Sequence, residues 1–434
     1  DDKYWGIYNP SERPDGNFGA SYFGGDPDLW DGINANKPTG ESQTTTWNAM
    51  KAAVGTDLLK MLNITNYMLV EGRLPDGTRD PNLVWHLNID NQIDYMMANH
   101  WSGTGDWPGH NWYANGARTN STGWRYICWD GEFALSSLTA NNTTTFGPNN
   151  IHGNLMSNPE YVLHYADHVR RHFFNDGELT PAKCVARYQK LVDEVRPGIH
   201  INHARWGGSS TSWENTQASY LGGYMLQRSE VVLAQLRNVG LYPLVDAPDF
   251  NVYGGTVSNA FQLEITSSNA VYYTLDGSDP RAIGGAVNGS IYVGPLPILK
   301  NEWVKARARL GGGEWSALTE AFFSHTSVAG IEVSEIMPDP RGPTNLFVAS
   351  EYEYVELHNP GVTAINLHHV TFSEGVSFTF PSIVIGAGDY VVVAANTNAF
   401  AERYGTAGIT LAGEYEGTLN NQGERVELRS GSDG

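Results

Sequence analysis

The sequence predicts a helix-rich α+β domain followed by two small β-sandwiches. Three observations carry this. Apolar residues recur at helical spacing from about residue 44 to 240. From about residue 246 short alternating segments, split by Gly, Asp, Asn and Pro, replace them. The same strand texture repeats from about residue 330. A length of 434 residues suits two to four domains and leaves room for large cores. With 41% hydrophobic and 17% charged residues, the chain is a folding one.

Each element follows from its own pattern. Ile89, Ile93, Met96 and Met97 fall at i, i+4, i+7 and i+8, one apolar face of a helix. Tyr161, Val162, Tyr165, Val169 and Phe173 form a second such face, and Val185, Tyr188, Leu191, Val192 and Val195 a third. That third helix is expected to stop at Pro197-Gly198. A further helix covers about 220–239 and ends at Gly240. Downstream, Phe261–Ile265, Val271–Leu275 and Trp303–Ala308 alternate as strands, with turn chemistry at Asp276-Gly277 and Asp279-Pro280. Tyr354–Leu357, Ser377–Phe380 and Tyr390–Ala395 repeat the pattern. Neither block has the internal period of a solenoid.

Charge narrows the partners. Lys and Arg number 27 against 47 Asp and Glu, a net charge of −20. A field of that sign repels phosphate backbones and anionic lipid, so nucleic acid is not an expected partner. No apolar run approaches the ~18 residues of a membrane span. Cys128 and Cys184 are too few for a disulfide framework and read as two separate thiols. The chain opens on Asp1–Tyr4 without Met and closes on Ser430–Gly434 just after a strand-like Arg425–Leu428, so it is expected to be a piece of a longer protein.

The densest polar and aromatic cluster runs from His100 to Leu135. It holds Asp106-Trp-Pro-Gly-His110-Asn111 in a loop after the Ile89–Met97 helix, and Trp124–Trp129 as a strand delivering Asp130 at its end. An Asp, an Asn five residues on, and a strand ending in Asp-Gly is an arrangement protein kinases use for phosphoryl transfer. One carboxylate orients the attacking hydroxyl and accepts its proton. A carboxylate and an amide carbonyl suit a hard divalent cation. By spacing alone the pattern is weak, and Asp130-Gly131 reads rather as a simple turn.

Several motifs resemble known families. Tyr4-Trp-Gly-Ile-Tyr-Asn9-Pro-Ser-Glu12-Arg13-Pro-Asp15, Tyr22-Phe-Gly-Gly25, the Asp106–Asn111 and Trp129-Asp130 segments and Ala204-Arg-Trp-Gly207 resemble, in order, the spore-coat kinase (CotH-type) family over about residues 1–245. The resemblance implies an atypical protein-kinase-like fold that moves the γ-phosphoryl of Mg-ATP to Ser/Thr hydroxyls of a protein substrate. By position, Asp106 would be catalytic, Asn111 and Asp130 would hold Mg2+, and Glu12 would be the acidic partner of a nucleotide-contacting lysine. The family's basic nucleotide-binding portion lies upstream of residue 1, so the chain as given is expected to bind ATP poorly. Tyr272–Arg281, Tyr292–Pro295, Val304–Arg307 and Trp315-Ser316 are similar to the chitobiase/β-hexosaminidase C-terminal domain, an immunoglobulin-like sandwich, over 246–326. Val333–Pro340, Glu353–Pro360, Phe378–Pro381, Ala387–Tyr390 and Leu419–Glu424 resemble a lamin-tail domain, a second immunoglobulin-like sandwich, over 327–434. These implied domains place the protein outside the cell or on a bacterial surface. The alternative function is an inactive kinase-like adhesin or scaffold whose sandwiches contact glycans or cell-surface proteins.

Plainer readings cover the rest. His164, His168 and His172, at i, i+4 and i+8, have zinc-ligand spacing but no HExxH-type carboxylate motif. They read as packed or solvated histidines, as do His200 and His203. Asp130 and Glu132 share a face as a glycosidase pair would, but no sugar-platform pattern accompanies them. Trp107, Trp112, Trp124 and Trp129 read as core rather than as stacking platforms. Asp276, Asp279 and the Asp76–Asp80 loop read as turns rather than Ca2+ ligands. Gly311-Gly312-Gly313 reads as a hairpin tip rather than a phosphate loop.

Overall fold

Ile89, Ile93, Met96 and Met97 are each at most 1% exposed, and the first part of the chain folds around them. The computed structural model describes residues 5–119, 122–257, 261–299, 301–324, 328, 330–342, 346–368, 370–421 and 423–429. Asp1–Tyr4, Gln422 and Ser430–Gly434, quoted above, lie outside them. The chain forms two units: Asp1–Ala247 with Ile283–Ala286 and Leu310–Leu318, and Pro248–Ala282 with Val287–Arg309 and Thr319–Gly434.

The first unit is mixed α/β. In chain order it contains α1 (Gly16–Phe23), β1 (Trp30–Asn34), β2 (Lys37–Pro38), α2 (Thr45–Val54), α3 (Leu58–Leu62), α4 (Ile64–Val70) and α5 (Ile89–Ser102). There follow β3 (Trp112–Ala117), β4 (Arg125–Cys128), α6 (Ile151–Leu155), α7 (Pro159–Phe173), α8 (Pro181–Trp206), α9 (Ser210–Ser219) and α10 (Met225–Asn238). The strands make an antiparallel sheet of order β2-β1-β3-β4. Trp47 of α2 packs on Trp112, Trp124 and Tyr126 of that sheet, with ring centroids 5.8, 4.9 and 5.9 Å away. These rings exclude water from the sheet face and give the unit much of its apolar burial. Gly116 is required here, because a Cβ at that position would meet the Trp124 ring at 2.4 Å.

Two helix ends depart from the sequence reading. Helix α8 runs through Pro197 to Trp206, and Gly207 terminates it with φ +86°. Proline removes one backbone donor and crowds the preceding turn. Contacts with α9 flank the proline: Arg196 pairs with Glu214 at 2.9 Å and the Tyr188 hydroxyl donates to Gln217 at 2.7 Å. The helix expected over 220–239 opens with a π-helical turn, Tyr220–Tyr224, before α10, and Gly240 follows with φ +76°.

The second unit is strand-rich, consistent with immunoglobulin-like sandwiches. Strands 290–291, 270–274, 302–309, 319–324 and 255–256 form one sheet in that order, over a core of Phe250, Leu263, Val304 and Phe323. The Gly311–Gly313 stretch joins the antiparallel strands Glu302–Arg309 and Thr319–Ser324, as a hairpin tip. A second set, 332–337, 354–358, 390–394 and 411–414, packs Val355, Leu357, Val391 and Val393 against Phe372 and Phe380. A helix at Thr397–Tyr404, absent from the sequence reading, is capped by Asn396, whose side chain accepts from the amides of residues 398 and 399.

Candidate active site

The end of α5 sets the site. Gly103 takes the left-handed conformation (φ +61°) that ends the helix, and its N–H donates to the Asn99 carbonyl. Arg228, fully buried on α10, then fixes this end from outside. Its guanidinium donates to the carbonyls of Trp101 (2.6 Å), Leu138 (2.5 Å) and His100 (2.9 Å). A cation at a helix C-terminus also complements the helix dipole. Beyond Gly103 the loop is tied on both sides: Gly105 N–H donates to the Phe133 carbonyl at 3.1 Å, and the indole of buried Trp107 donates to Tyr95 Oη at 2.6 Å.

Asp106 sits between those two anchors, exposed, with φ +44°. Asn111 precedes β3 with φ +64°, and Asp130 follows β4 with φ +52°. Trp112 faces Cys128 across the hairpin, so the register of two strands brings Asn111 opposite Trp129, one residue before Asp130. The Asn111 amide joins all three, donating to Asp106 Oδ1 at 2.7 Å and to the Asp130 carbonyl at 3.2 Å. Left-handed backbone is uncommon outside glycine. Three such residues in one cluster store strain of the kind held at functional sites.

Glu132 completes the group. A hydrogen bond with Asp130, then the charges of Asp130 and Asp106, raise its carboxyl above the ordinary glutamate range. Glu132 thus meets the Asp130 carboxyl, and the Asn111 amide meets the Asp106 carboxylate and the Asp130 main-chain carbonyl, all at the surface. Among the described residues no Lys or Arg pairs with Asp106, Asp130 or Glu132. With the Asn111 N–H groups already spent, its carbonyl oxygen is the part of the amide left for a ligand. Carboxylates and a carbonyl are the kind of oxygen donors that a hard divalent cation such as Mg2+ takes.

The structure places the other sequence candidates elsewhere. Glu12 is exposed and accepts from the Tyr22 hydroxyl at 3.0 Å; no hydrogen bond joins it to the other three among the described residues. Trp107, Trp112 and Trp124 are core residues, and Trp129 stacks edge-on to Tyr113. Asp76, Asp80 and Asp276 accept from amides two residues on, as turn residues do, and Asp279 also accepts from buried Arg307 at 2.8 and 2.6 Å. Cys128 and Cys184 are free thiols, and His203 bonds Ser210. His168 is packed as expected, but it faces Asp90 and Asp94 of α5. The sequence reading missed those carboxylates and Arg228, and weighed Glu132 only as half of a glycosidase pair with Asp130. Asp90 and Asp94 stand four apart, a readable signal, yet only the tertiary fold tells which helix they face.

No helix among the described residues is long and apolar enough to cross a membrane. A comparison with curated proteins returns no match. Family models match three successive stretches. The Fn3 associated model covers residues 261–322 and the Lamin Tail Domain model covers 324–434. The CotH kinase protein model covers 1–232, over half of the 434 residues and every residue of the cluster just described. By that match the chain belongs to the CotH kinase protein family.

Proposed function

We propose that the first unit transfers the γ-phosphoryl of ATP to Ser or Thr hydroxyls of a protein substrate. One observation carries the reading: Asp106, Asn111 and Asp130 meet through a single amide, in a chain of a kinase family. Asp106 orients the acceptor hydroxyl and takes its proton while the oxygen bonds to the γ-phosphorus and the bond to the β,γ-bridging oxygen breaks, releasing ADP. Asn111, Asp130 and Glu132 would hold Mg2+, which when bound offsets charge on the phosphates. The anchors at Gly105 and Trp107 keep the Asp106 carboxylate in place, which is where most of the rate gain of such a site originates. The role given to Glu12 requires its carboxylate to leave Tyr22 for a lysine.

A second reading is a kinase-like scaffold that binds glycans or proteins through its strand-rich modules. It rests on those modules alone. A position outside the cell belongs to the same proposal, since both module types are compatible with it. The deciding experiment measures phosphate incorporation from radiolabelled ATP by the complete protein, with and without Mg2+. Asp130→Ala should lower incorporation on the order of 100-fold or more without unfolding the chain. Unchanged incorporation in the variant refutes the assignment, and no incorporation by the wild type leaves the scaffold.

A further inference from the structure

Helices α5 and α7 bring together side chains that phosphoryl transfer does not use. Asp90 and Asp94 lie one turn apart on α5, and His164, His168 and His172 occupy successive turns of α7. His168 Nε2 stands 3.3 Å from Asp90 Oδ1 and 3.3 Å from His164 Nε2, while His164 Nε2 is 2.9 Å from the same Oδ1. The three atoms form a nearly regular triangle. Bonds of about 2.0–2.1 Å place neighbouring ligand atoms about 2.9 Å apart at octahedral angles and about 3.4 Å apart at tetrahedral ones. Every edge of the triangle falls within those limits.

The back of the His168 ring supplies independent support. Its Nδ1 lies 2.6 Å from Asp94 Oδ1. A carboxylate only accepts, so Nδ1 carries the hydrogen and Nε2 faces Asp90 and His164. A carboxylate holding the far nitrogen of an imidazole is the usual support behind a zinc-ligating histidine. His168 is 2% exposed, which locks its ring, whereas Asp90 and His164 reach solvent and leave room for water on the open side.

We propose that Asp90, His164 and His168 bind one first-row divalent cation of the zinc class, with Asp94 positioning His168 from behind. Two imidazoles and one carboxylate suit Zn2+, Co2+ or Ni2+ better than Mg2+ or Ca2+. A bound ion takes the place of a proton at Nε2. It would also tie the first half of α5 to α7, on the helix that leads into the Asp106 loop. The inference does not depend on the kinase reading.

The test titrates Co2+ into the tag-free, chelator-stripped chain and reads its visible d–d absorption, followed by displacement with Zn2+. One Co2+ per chain is expected. Asp94→Asn should weaken binding about 10–100-fold, and Asp90→Asn and His164→Ala should weaken it more. His172→Ala removes a 3.5 Å contact to Asp94 and a ring contact with His168 but none of the three proposed ligands, and should retain the wild-type affinity. Asp90 and His164 reach solvent, so those variants should fold; circular dichroism checks this, and the Zn2+-induced rise in Tm should vanish in both. Absence of saturable Co2+ uptake, or uptake indifferent to Asp90→Asn and His164→Ala, overturns the proposal and leaves an ion-paired helix contact.

Discussion

Exchanging Arg228 for methionine strips the donors from two carbonyls at the end of α5 and from that of Leu138. The guanidinium bonds Trp101, Leu138 and His100 from a fully buried position. Hydrogen bonds to a charged group contribute about 1.5–3 kcal/mol each, and an acceptor left buried without a donor costs about 1–3 kcal/mol. Burial also disfavours the Arg228 charge, which lowers its pKa, and losing that charge recovers part of the sum. We expect a net local loss of about 2–4 kcal/mol, equivalent to about 30- to 1000-fold in an opening equilibrium at 1.36 kcal/mol per decade. Hydrogen exchange resolves it at the amides of Gly103 and Thr104, bonded to Asn99, and of Leu135, bonded to the Ser102 carbonyl. Their exchange should accelerate by that factor, while amides of the strand-rich unit keep wild-type rates. Arg228→Lys retains the charge but not the planar fork and should show a smaller acceleration. Protection within threefold of wild type in the methionine variant would refute the view that Arg228 holds the end of α5, and with it the account of how the Asp106 loop is anchored.

His100 and His152 are buried and neutral. Burial lowers the pKa of His100 to about 4 and that of His152 well below its usual range. The unfolded imidazoles protonate near pH 6.5 and the folded ones only at lower pH, so their stabilisation is complete above pH 6.5. It should fall by about 1.4 kcal/mol per pH unit per histidine below that. Denaturation midpoints between pH 7 and 4.5 check this, and His100→Asn should flatten the slope. Gly116→Ala would push a methyl into the Trp124 ring, costing about 1–3 kcal/mol in a melting experiment; an unchanged Tm would contradict the packing. Asp130→Asn should lower the Glu132 pKa toward the ordinary glutamate value, because the charge and hydrogen bond that raise it disappear. Carboxyl 13C titration reads this without any assay of activity.

Repeating chemistry along one element was legible in the sequence. The apolar face of α5, the strands of both sandwich-like blocks and the turn aspartates all depend on neighbours within a few residues. The Asp106, Asn111 and Asp130 grouping was also readable, since a loop and one hairpin deliver all three. Interactions that cross between distant segments were not. Nothing local marks Arg228 as the partner of a helix end more than 120 residues earlier, or points Asp90 and Asp94 at the histidines of α7. Pro197 misled as well: its local effect on a helix is unfavourable, yet α8 continues through it to Trp206.

The hairpin that brings Asn111 near Asp130 makes the site sensitive to slippage. Strand register is fixed at Trp112 and Cys128, and a shift of one residue turns each side chain to the other face of the sheet. A substitution that moved the register would therefore take Asn111 away from the Asp130 carbonyl while leaving every side chain of the group in the chain.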